Sequence, residues 1–272
     1  MIRENAASRP RSWSEHEDLI AFFSSSRNRP EDLYPSERRF LPWLADQANQ
    51  VLDVGCAAGG FSNVWRHYRS DVDYTGIDVS SELIATARAA HPSHTFLVGD
   101  CAEGLPFADE GFAIVQALGW LHWEPRYEAA LRELWRLAAR YCFIDVRLRE
   151  TGRPTIRGQQ RVAYTKEWDG LTVTPYIAVE WMEFARLLAS LRPRRIYSHG
   201  YWGSPANTVT GVDARVCFST FVLEKTSPED NGCVVCIDSP LEWPVEIGSA
   251  AYTVLPASAL SSICAPGPSD PR

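Results

Sequence analysis

Short apolar runs alternate with amphipathic stretches through the middle of the chain. The run 51–54 leads into the small residues of 55–60, and a helical pattern follows with Phe61, Val64 and Trp65 on one face. The same order of strand and helix then recurs, with further strands predicted at 73–78, 95–98, 112–116 and 141–146. This alternation predicts a parallel sheet with helices on both faces.

The regions before and after this core have a different pattern. Residues 1–50 predict an N-terminal helical cap, with one helix starting at Ser12 or Ser14 and a second starting at Pro35. Residues 149–178 predict an insertion with a strand at 160–165 and a hairpin turn at 169–170. These segments interrupt or precede the alternation, so the domain itself is predicted at 51–225.

The last third of the chain predicts a closing hairpin and an extension. A helix at 179–191 precedes two strands at 195–201 and 215–223, which predict an antiparallel pair at the sheet edge. Residues 226–272 form the predicted C-terminal extension, with short strands at 233–237 and 252–255. Its last dozen residues are rich in proline, and they are predicted to be disordered.

Composition narrows the class of protein. The 272 residues are 45% hydrophobic and 22% charged, as in soluble globular proteins, and the net charge of −7 argues against general nucleic-acid binding. No stretch reaches the length of a membrane span, and the polar first 30 residues do not resemble a secretion signal. The seven scattered cysteines then indicate reduced thiols, so a cytoplasmic protein is expected.

The corner at 51–62 carries the first chemical signal. Small residues allow a ligand to approach the backbone closely, and the start of the next helix offers unpaired N–H groups. A strand, a tight turn rich in glycine and a helix in this order are typical of nucleotide-binding corners. An ordinary turn in an α/β domain would look similar, so the corner alone does not decide the function.

Five stretches in order resemble the motifs of class I S-adenosylmethionine (SAM)-dependent methyltransferases of the bacterial small-molecule type. They are 51–59 (VLDVGCAAG), 76–80 (GIDVS), 99–107 (GDCAEGLPF), 112–123 (FAIVQALGWLHW) and 129–137 (AALRELWRL). The resemblance implies a Rossmann-like α/β fold, with a seven-stranded, mostly parallel sheet, helices on both faces and a closing antiparallel hairpin. It also implies SAM as the cofactor and a small molecule as the substrate, without nucleic-acid or membrane partners.

Three positions depart from the family pattern. Ala57 stands where the middle glycine is usual, and Ala113 replaces a common aspartate. Residues 139–141 (ARY) replace the usual Pro-Gly-Gly turn before the fifth strand, so that connection must be built differently. None of these departures removes a group that must contact SAM.

The resemblance assigns the cofactor contacts by position. Asp53 would help to bind the amino group of SAM, Asp78 would accept both ribose hydroxyls, and Asp100 would meet the adenine. Asp78 has a second interpretation as an acid at a helix N-terminus. The full set of predicted cofactor residues is Asp53, Gly55, Cys56, Ala57, Gly59, Asp78, Val79, Asp100, Cys101, Ala117 and Leu118.

The substrate side is assigned less directly. His122 is the candidate general base, because a neutral imidazole can accept a proton near pH 7, and a packing histidine is the alternative. The predicted substrate contacts are Trp120, Trp123 and Arg147, and further candidates on nearby stretches are Tyr34, Tyr164, Tyr176, His199 and Trp202. Either tryptophan could instead belong to the core.

Two features of the flanking segments could have either a functional or a purely structural role. The arginines of the insertion (Arg149, Arg153, Arg157 and Arg161) could recognise an anionic substrate or form a solvated face. Cys233 and Cys236 have the spacing of half a zinc site, but no second pair accompanies them, which favours free thiols and no metal.

Two other functions compete with methyl transfer. An NAD-dependent oxidoreductase could use the glycine corner and Asp78, although Asp53 puts a charge where dehydrogenase strands are apolar. A SAM-binding protein that has lost catalysis could act as a partner or sensor. The acids Asp53, Asp78 and Asp100 argue mildly against such decay.

Overall fold

The first half of the computed structural model alternates strands with helices, as the apolar pattern predicts. The structure describes residues 17–162, 172–225, 232–244, 247 and 252–263. The elements of this half are α1 (Glu17–Ser25), α2 (Pro35–Gln47), β1 (Gln50–Val54), α3 (Phe61–Tyr68), β2 (Asp73–Asp78), α4 (Ser81–Ala90), β3 (Thr95–Val98), β4 (Phe112–Ala117), α5 (Tyr127–Leu137) and β5 (Ala138–Arg149).

The second half contains mostly strands. Its elements are β6 (Ile156–Val162), β7 (Thr172–Glu180), α6 (Trp181–Ser190), β8 (Arg195–Gly203), β9 (Val209–Thr210), β10 (Val216–Glu224), β11 (Cys233–Asp238), β12 (Tyr252–Leu255) and α7 (Ser258–Ile263). The predicted start of the first helix at Ser12 or Ser14, the turn at 169–170, Tyr164 and the last residues of the tail lie outside the described residues.

The strands form one large sheet in the order β12-β11-β8-β10-β5-β4-β1-β2-β3. The run from β3 to β5 is parallel, and β10 is antiparallel to both β5 and β8. This confirms the predicted Rossmann-like α/β fold with its closing antiparallel hairpin.

The sheet extends beyond the predicted seven strands. β11 joins the edge strand β8 in parallel and β12 joins β11, so the described part of the C-terminal extension belongs to the same sheet. β6 and β7 form an antiparallel ladder, and β7 adds to the end of β5 through Leu148 and Arg149. The sequence pattern predicts no strand at 172–180, and it places the strand of the insertion at 160–165, whereas β6 spans Ile156–Val162. It predicts the strands of the extension but does not show which edge of the sheet they join.

Side chains alternate between the two faces of the sheet, and each face has its own apolar core. One face packs on α5 and α6, where Leu131, Leu134 and Phe184 are buried. The other packs on α2, α3 and α4, with Phe40 and Trp65 fully buried. Burying a side chain of this size contributes about 1.5–3 kcal/mol. The two cores therefore hold the strands in place, and with them the polar residues at the strand ends.

The connection into β5 contains no turn residue of its own. α5 ends at Leu137, and β5 begins at the next residue, Ala138, which already pairs with Phe112 of β4. The Ala138 N–H donates to the Leu134 carbonyl and so closes the last turn of the helix. This is how the chain does without the Pro-Gly-Gly turn that residues 139–141 replace.

Candidate functional site

The turn between β1 and α3 has the backbone of a ligand-binding loop. Gly55 and Gly59 have φ of +78° and +82°, and Ala57 between them has φ of +48°. The left-handed region costs a residue with a Cβ about 1–2 kcal/mol, so Ala57 keeps the glycine conformation at some strain. The alanine at the middle position therefore adopts the left-handed conformation that a glycine would take there.

Main-chain hydrogen bonds tie this loop to the end of β2. The N–H groups of Gly55 and Cys56 both donate to the Ile77 carbonyl, at 2.7 and 3.0 Å. The Ala57 N–H donates to Asp78 Oδ2 at 3.0 Å. The Cys56 side chain is buried, and burial raises the pKa of its thiol well above the usual value. Cys56 can therefore contact a ligand through its backbone but not through a thiolate.

Asp53 lies buried beneath the loop at the end of β1. The Tyr74 hydroxyl donates a hydrogen bond to its Oδ2. Burial raises the pKa of Asp53 from 3.8 to about 7, and this hydrogen bond only partly opposes the rise. A carboxyl group in this state is ready to ionise when a cation approaches it.

Asp78 stands at the end of β2, on the other side of the loop. Its two oxygens accept from the Ala57 and Ser80 N–H groups, at 3.0 and 2.9 Å. Burial raises its pKa despite these bonds. A carboxylate can accept about four hydrogen bonds, so two of its lone pairs stay open to a ligand. Val79, which follows it, is 49% exposed.

Asp100 and Cys101 lie at the end of β3, one strand further along. Asp100 Oδ1 caps a short 3-10 helix through the Ala102 N–H at 3.0 Å, and Oδ2 pairs with Arg126 at 3.1 Å. The Cys101 side chain points into the core, where its Sγ lies 3.6 Å from the Ala130 carbonyl. Both positions flank the same edge of the sheet as Asp53 and Asp78, and the Cys101 side chain is turned away from it.

The end of β4 forms the far wall of the same edge. Ala117 and Leu118 are buried, and Gly119 follows with φ of +86°. The Gly119 N–H donates to Asp145 Oδ1. β4 and β1 are neighbouring parallel strands that end at the same edge of the sheet, so this wall lies beside the glycine loop that follows β1.

Trp120 packs against the glycine loop itself. Its Nε1 donates to the Val54 carbonyl at 2.5 Å, and a Cβ on Gly55 would lie 2.3 Å from the indole ring. Trp123 points the other way, toward the insertion, and its Nε1 donates to Gln160 Oε1 at 2.8 Å. The two predicted substrate contacts therefore do not share one pocket wall.

His122 lies between Trp120 and Trp123 in the sequence, and its side chain is buried. Its ring lies 5.1 Å from the Tyr176 ring, and its Nδ1 has no hydrogen-bond partner among the described residues. Burial, together with the Arg147 guanidinium, lowers the pKa of His122 well below 6.5. The imidazole is therefore neutral at pH 7, and it is a weak base.

Arg147 and Asp145 form a buried ion pair near His122. Arg147 Nη1 lies 2.7 Å from Asp145 Oδ2, and the guanidinium packs 4.3 Å above the Phe218 ring. Burial disfavours ionised Asp145, but the Arg147 charge outweighs it and holds the pKa of that carboxyl below its usual value. Arg147 Nε is buried with no hydrogen-bond partner in the described part of the chain.

Sequence reasoning missed Arg27, which reaches the site from the segment between α1 and α2. Its guanidinium pairs with the buried Glu37 and lies 4.7 Å from the Phe61 ring centroid. A Cβ on Gly119 would lie 2.6 Å from its Nη1. The guanidinium thus sits between the start of α3 and the end of β4. Its only sequence signal was a break of helix pattern at 28–30, which does not point to a ligand.

The structure brings most predicted residues to one edge of the sheet. Asp53, Asp78, the loop and the end of β4 lie at the same edge of the sheet. His122 follows β4, and Arg147 lies on the neighbouring strand β5. Among the residues that the structure describes, no group of three or more His, Cys, Asp or Glu is suited to a metal ion. In the same residues, no helix has the length and apolarity needed to cross a membrane.

Comparison with known proteins finds methyltransferases. A family model described as a methyltransferase domain matches residues 51–140, which run from β1 into β5. A malonyl-[acyl-carrier protein] O-methyltransferase of Pectobacterium atrosepticum is 40% identical over 101 residues, which are 37% of this chain and 39% of that protein. A phthiotriol/phenolphthiotriol dimycocerosates methyltransferase of Mycobacterium tuberculosis is 34% identical over 90 residues, 32% of this chain and 33% of that protein.

A solved structure shares the fold over a longer stretch. The N-terminal domain of EvdMO1, crystallised with S-adenosylhomocysteine, aligns with 71% of this chain and 82% of its own, with a TM-score of 0.51 and 17% identity. At this identity the likeness concerns the fold alone. The sequence matches, by contrast, span about two fifths or less of the length of the curated relatives, 39% and 36% for two of them. Residues 51–140 thus match a methyltransferase domain, as the resemblance to class I SAM-dependent methyltransferases predicts.

Proposed function

We propose that the chain transfers the methyl group of SAM to a small molecule that carries a carboxylate. The observation that carries the cofactor half is the placement of two acids on either side of the glycine loop, the buried Asp53 and the half-buried Asp78. The observation that carries the acceptor half is the buried Arg147, whose Nε has no partner among the described residues.

The residues around the loop fit SAM. Asp78 has lone pairs for both ribose hydroxyls, and its position at the end of β2 suits a nucleoside lying along the strand ends. Asp53 would pair with the cofactor's ammonium group, which would favour the ionised form of a carboxyl whose pKa is about 7. Gly55 makes room for the Trp120 indole and Gly119 for the Arg27 guanidinium, so these two side chains line the walls beside the loop.

Arg27 suits the remaining charge of the cofactor, its carboxylate. The guanidinium lies beside Gly119 and Phe61, between the two walls that would hold the amino-acid tail. A guanidinium binds a carboxylate in a bidentate manner, and Glu37 holds this one in place from behind. Asp53 and Arg27 together would then recognise both ends of the zwitterion.

SAM, when bound, supplies a methyl carbon whose bond to sulfur breaks as an acceptor lone pair bonds to it, which leaves S-adenosylhomocysteine. The chain's own residues align the acceptor and exclude water from the site. Leu118, at the end of β4, is buried, and so is Phe61 at the start of α3. The resulting apolar walls favour a desolvated acceptor beside the loop.

The electrostatics of the acceptor side favour a carboxylate. His122 is a weak base, because burial lowers the pKa of its imidazole well below 6.5. An alcohol or amine acceptor must lose a proton, whereas a carboxylate is already an anion and becomes a methyl ester with no proton released. Arg147 offers that anion the N–H of its Nε, since its Nη1 is already paired with Asp145. The relative from Pectobacterium atrosepticum, named as a malonyl O-methyltransferase, supports the same class of acceptor.

The proposal is tested by methyl transfer to paired acceptors. A malonyl thioester carries a free carboxylate, and the acetyl thioester of the same arm lacks it, so the pair isolates the group assigned to Arg147. We expect methyl ester and S-adenosylhomocysteine to form in equal amounts with the malonyl compound only. Equal transfer to both, or transfer only to alcohols or amines, would overturn the carboxylate assignment. Binding of SAM without transfer to any acceptor class would instead support the inactive partner or sensor.

A further inference from the structure

A cavity of about 310 Å³ opens at the outer end of β5, beside the site described above. It is lined by charged side chains and one indole: Arg149, Glu150, Arg153, Trp202, Asp213 and Arg215. The arginines come from the end of β5, the loop after it and the residue before β10. Three guanidinium groups thus meet in one small cavity of an acidic protein.

Two of these arginines are held in place by acids. Arg149 is buried, and its Nε lies 2.6 Å from Asp213 Oδ2. Arg153 Nε lies 3.2 Å from Glu150 Oε2. Asp213 stays ionised, since its hydrogen bond with Arg149 lowers the pKa of the carboxyl below its usual value. Each pair is neutral overall, so the net charge of the cavity depends on the third arginine.

Arg215 is that third arginine. It is exposed, and its guanidinium lies 4.5 Å above the Trp202 ring, a cation–π contact that fixes its plane. Within the described ranges, no carboxylate lies within 4.0 Å of it. Stacking leaves the N–H edges of the guanidinium open to a ligand. The cavity therefore carries a net charge of about +1 from one oriented, unpaired cation.

The cavity is adjacent to the acceptor side of the site. Arg147 and Arg149 are two residues apart on β5, so they share a face of the sheet and their Cα atoms are separated by about 7 Å. Phe218, which pairs with Arg147, lies three residues from Arg215. A molecule held at Arg147 would reach the cavity if it extended outward along β5.

We propose that this cavity binds a phosphate group, and that the group belongs to the distal end of the methyl acceptor. The link to the acceptor rests on the proposed function, whereas the phosphate site itself does not. A tetrahedral phosphate accepts hydrogen bonds from several directions, which suits guanidinium groups that approach from Arg149, Arg153 and Arg215. Arg215 would supply the unpaired cation, and Arg149 and Arg153 would add only the N–H groups that their contacts with Asp213, Pro154 and Glu150 leave open.

The test is a titration with inorganic pyrophosphate at low ionic strength, where screening is weak. We expect a Kd of about 1 mM for the full chain and about a tenfold increase in Arg215→Gln, since one charge-assisted contact is lost. Arg132→Gln, which removes an exposed arginine of α5, is the matched control and should bind as the unchanged chain does. Arg215 is exposed, so its replacement should leave the melting temperature unchanged.

Failure of this site can be told apart from failure of the proposed function. If pyrophosphate does not bind, or binds equally to Arg215→Gln, the phosphate site is wrong whatever the protein does with SAM. If it binds as expected, the link to the acceptor is tested with malonyl thioesters on arms with and without a phosphate. Arg215→Gln should raise KM about tenfold for the phosphate-bearing arm only. An equal KM change for both arms would overturn that link.

Discussion

The two sides of the site are built in different ways. The cofactor side comes from one continuous stretch, 51–79, whose strands and loop place Asp53 and Asp78 about the same glycine turn. Arg27 joins this side from the segment before α2. The acceptor side is assembled from β5, β7 and β10. Local geometry fixes the first side, and long-range packing fixes the second. Substitutions on the two sides should therefore separate binding of the cofactor from transfer to the acceptor.

Removing the Asp78 carboxylate should have the largest effect. Asp78→Ala loses two charge-assisted hydrogen bonds to the ribose, about 3 kcal/mol, so the Kd for S-adenosylhomocysteine should rise roughly a hundredfold. Asp73→Ala, which removes an exposed acid from the same strand, is the matched control and should bind normally. Isothermal titration measures both. An unchanged Kd in Asp78→Ala would mean that the ribose lies elsewhere.

Changing Arg147 should separate the two sides most clearly. In Arg147→Gln the acceptor carboxylate loses its buried cation, and kcat/KM for the malonyl thioester should fall about a hundredfold. The Kd for S-adenosylhomocysteine should stay within about twofold. Arg157→Gln, an exposed change on β6, serves as the control. If Arg147→Gln lowered cofactor affinity as much as it lowered methyl transfer, the cofactor side and the acceptor side would not be separate.

Arg27 should act on the cofactor side although it comes from the N-terminal segment. Arg27→Met should weaken S-adenosylhomocysteine about tenfold and leave adenosine, which lacks the carboxylate, unaffected. Arg38→Met removes an exposed arginine of α2 as the control. Equal weakening of both ligands would show that Arg27 shapes the loop and does not contact the cofactor's tail.

The smallest expected effect is the release of a proton from Asp53 when the cofactor binds. Burial raises its pKa from 3.8 to about 7, so the folded protein holds this proton more tightly than the unfolded chain. The stability that it contributes is therefore complete below the unfolded pKa and is lost as the pH rises toward 7. An incoming ammonium group favours the ionised form, so binding of S-adenosylhomocysteine at pH 7 should release about half a proton.

This release is measured by titration in two buffers of different ionisation enthalpy. Asp53→Asn keeps an oxygen for the Tyr74 hydroxyl but has no proton to release, so it is the matched comparison. The unchanged chain should also lose more stability than Asp53→Asn between pH 5 and about 7. Identical proton release by both proteins would place the ammonium group away from Asp53.

The same contrast explains what the sequence could predict. The strands of the core and the cofactor acids follow from apolar periodicity and from the spacing of 53–59 and 78, because parallel strands place their ends together. Arg27 carries no local signal, since its place beside Gly119 depends on how α1 and α2 pack on the sheet. The role of β11 as a further strand likewise depends on an edge of β8 that periodicity does not reveal.

The substrate contacts show the limit most clearly. Trp120 and Trp123 are three residues apart, yet one packs on Gly55 and the other donates to Gln160 of the insertion. The short 3-10 helix at Leu121–Trp123 turns them to different sides. Such a turn is set by packing against β7, so the sequence predicted the residues near the site and not the direction of their side chains.

The central claim is that the loop and its two acids bind SAM, and titration of the full chain with S-adenosylhomocysteine tests it most directly. We expect one site per chain with micromolar affinity, and no binding of NAD under the same conditions. Binding of NAD without S-adenosylhomocysteine would contradict the account and favour an oxidoreductase. Binding of neither would leave the corner at 51–79 as a scaffold that has lost its ligand, and the account would be wrong.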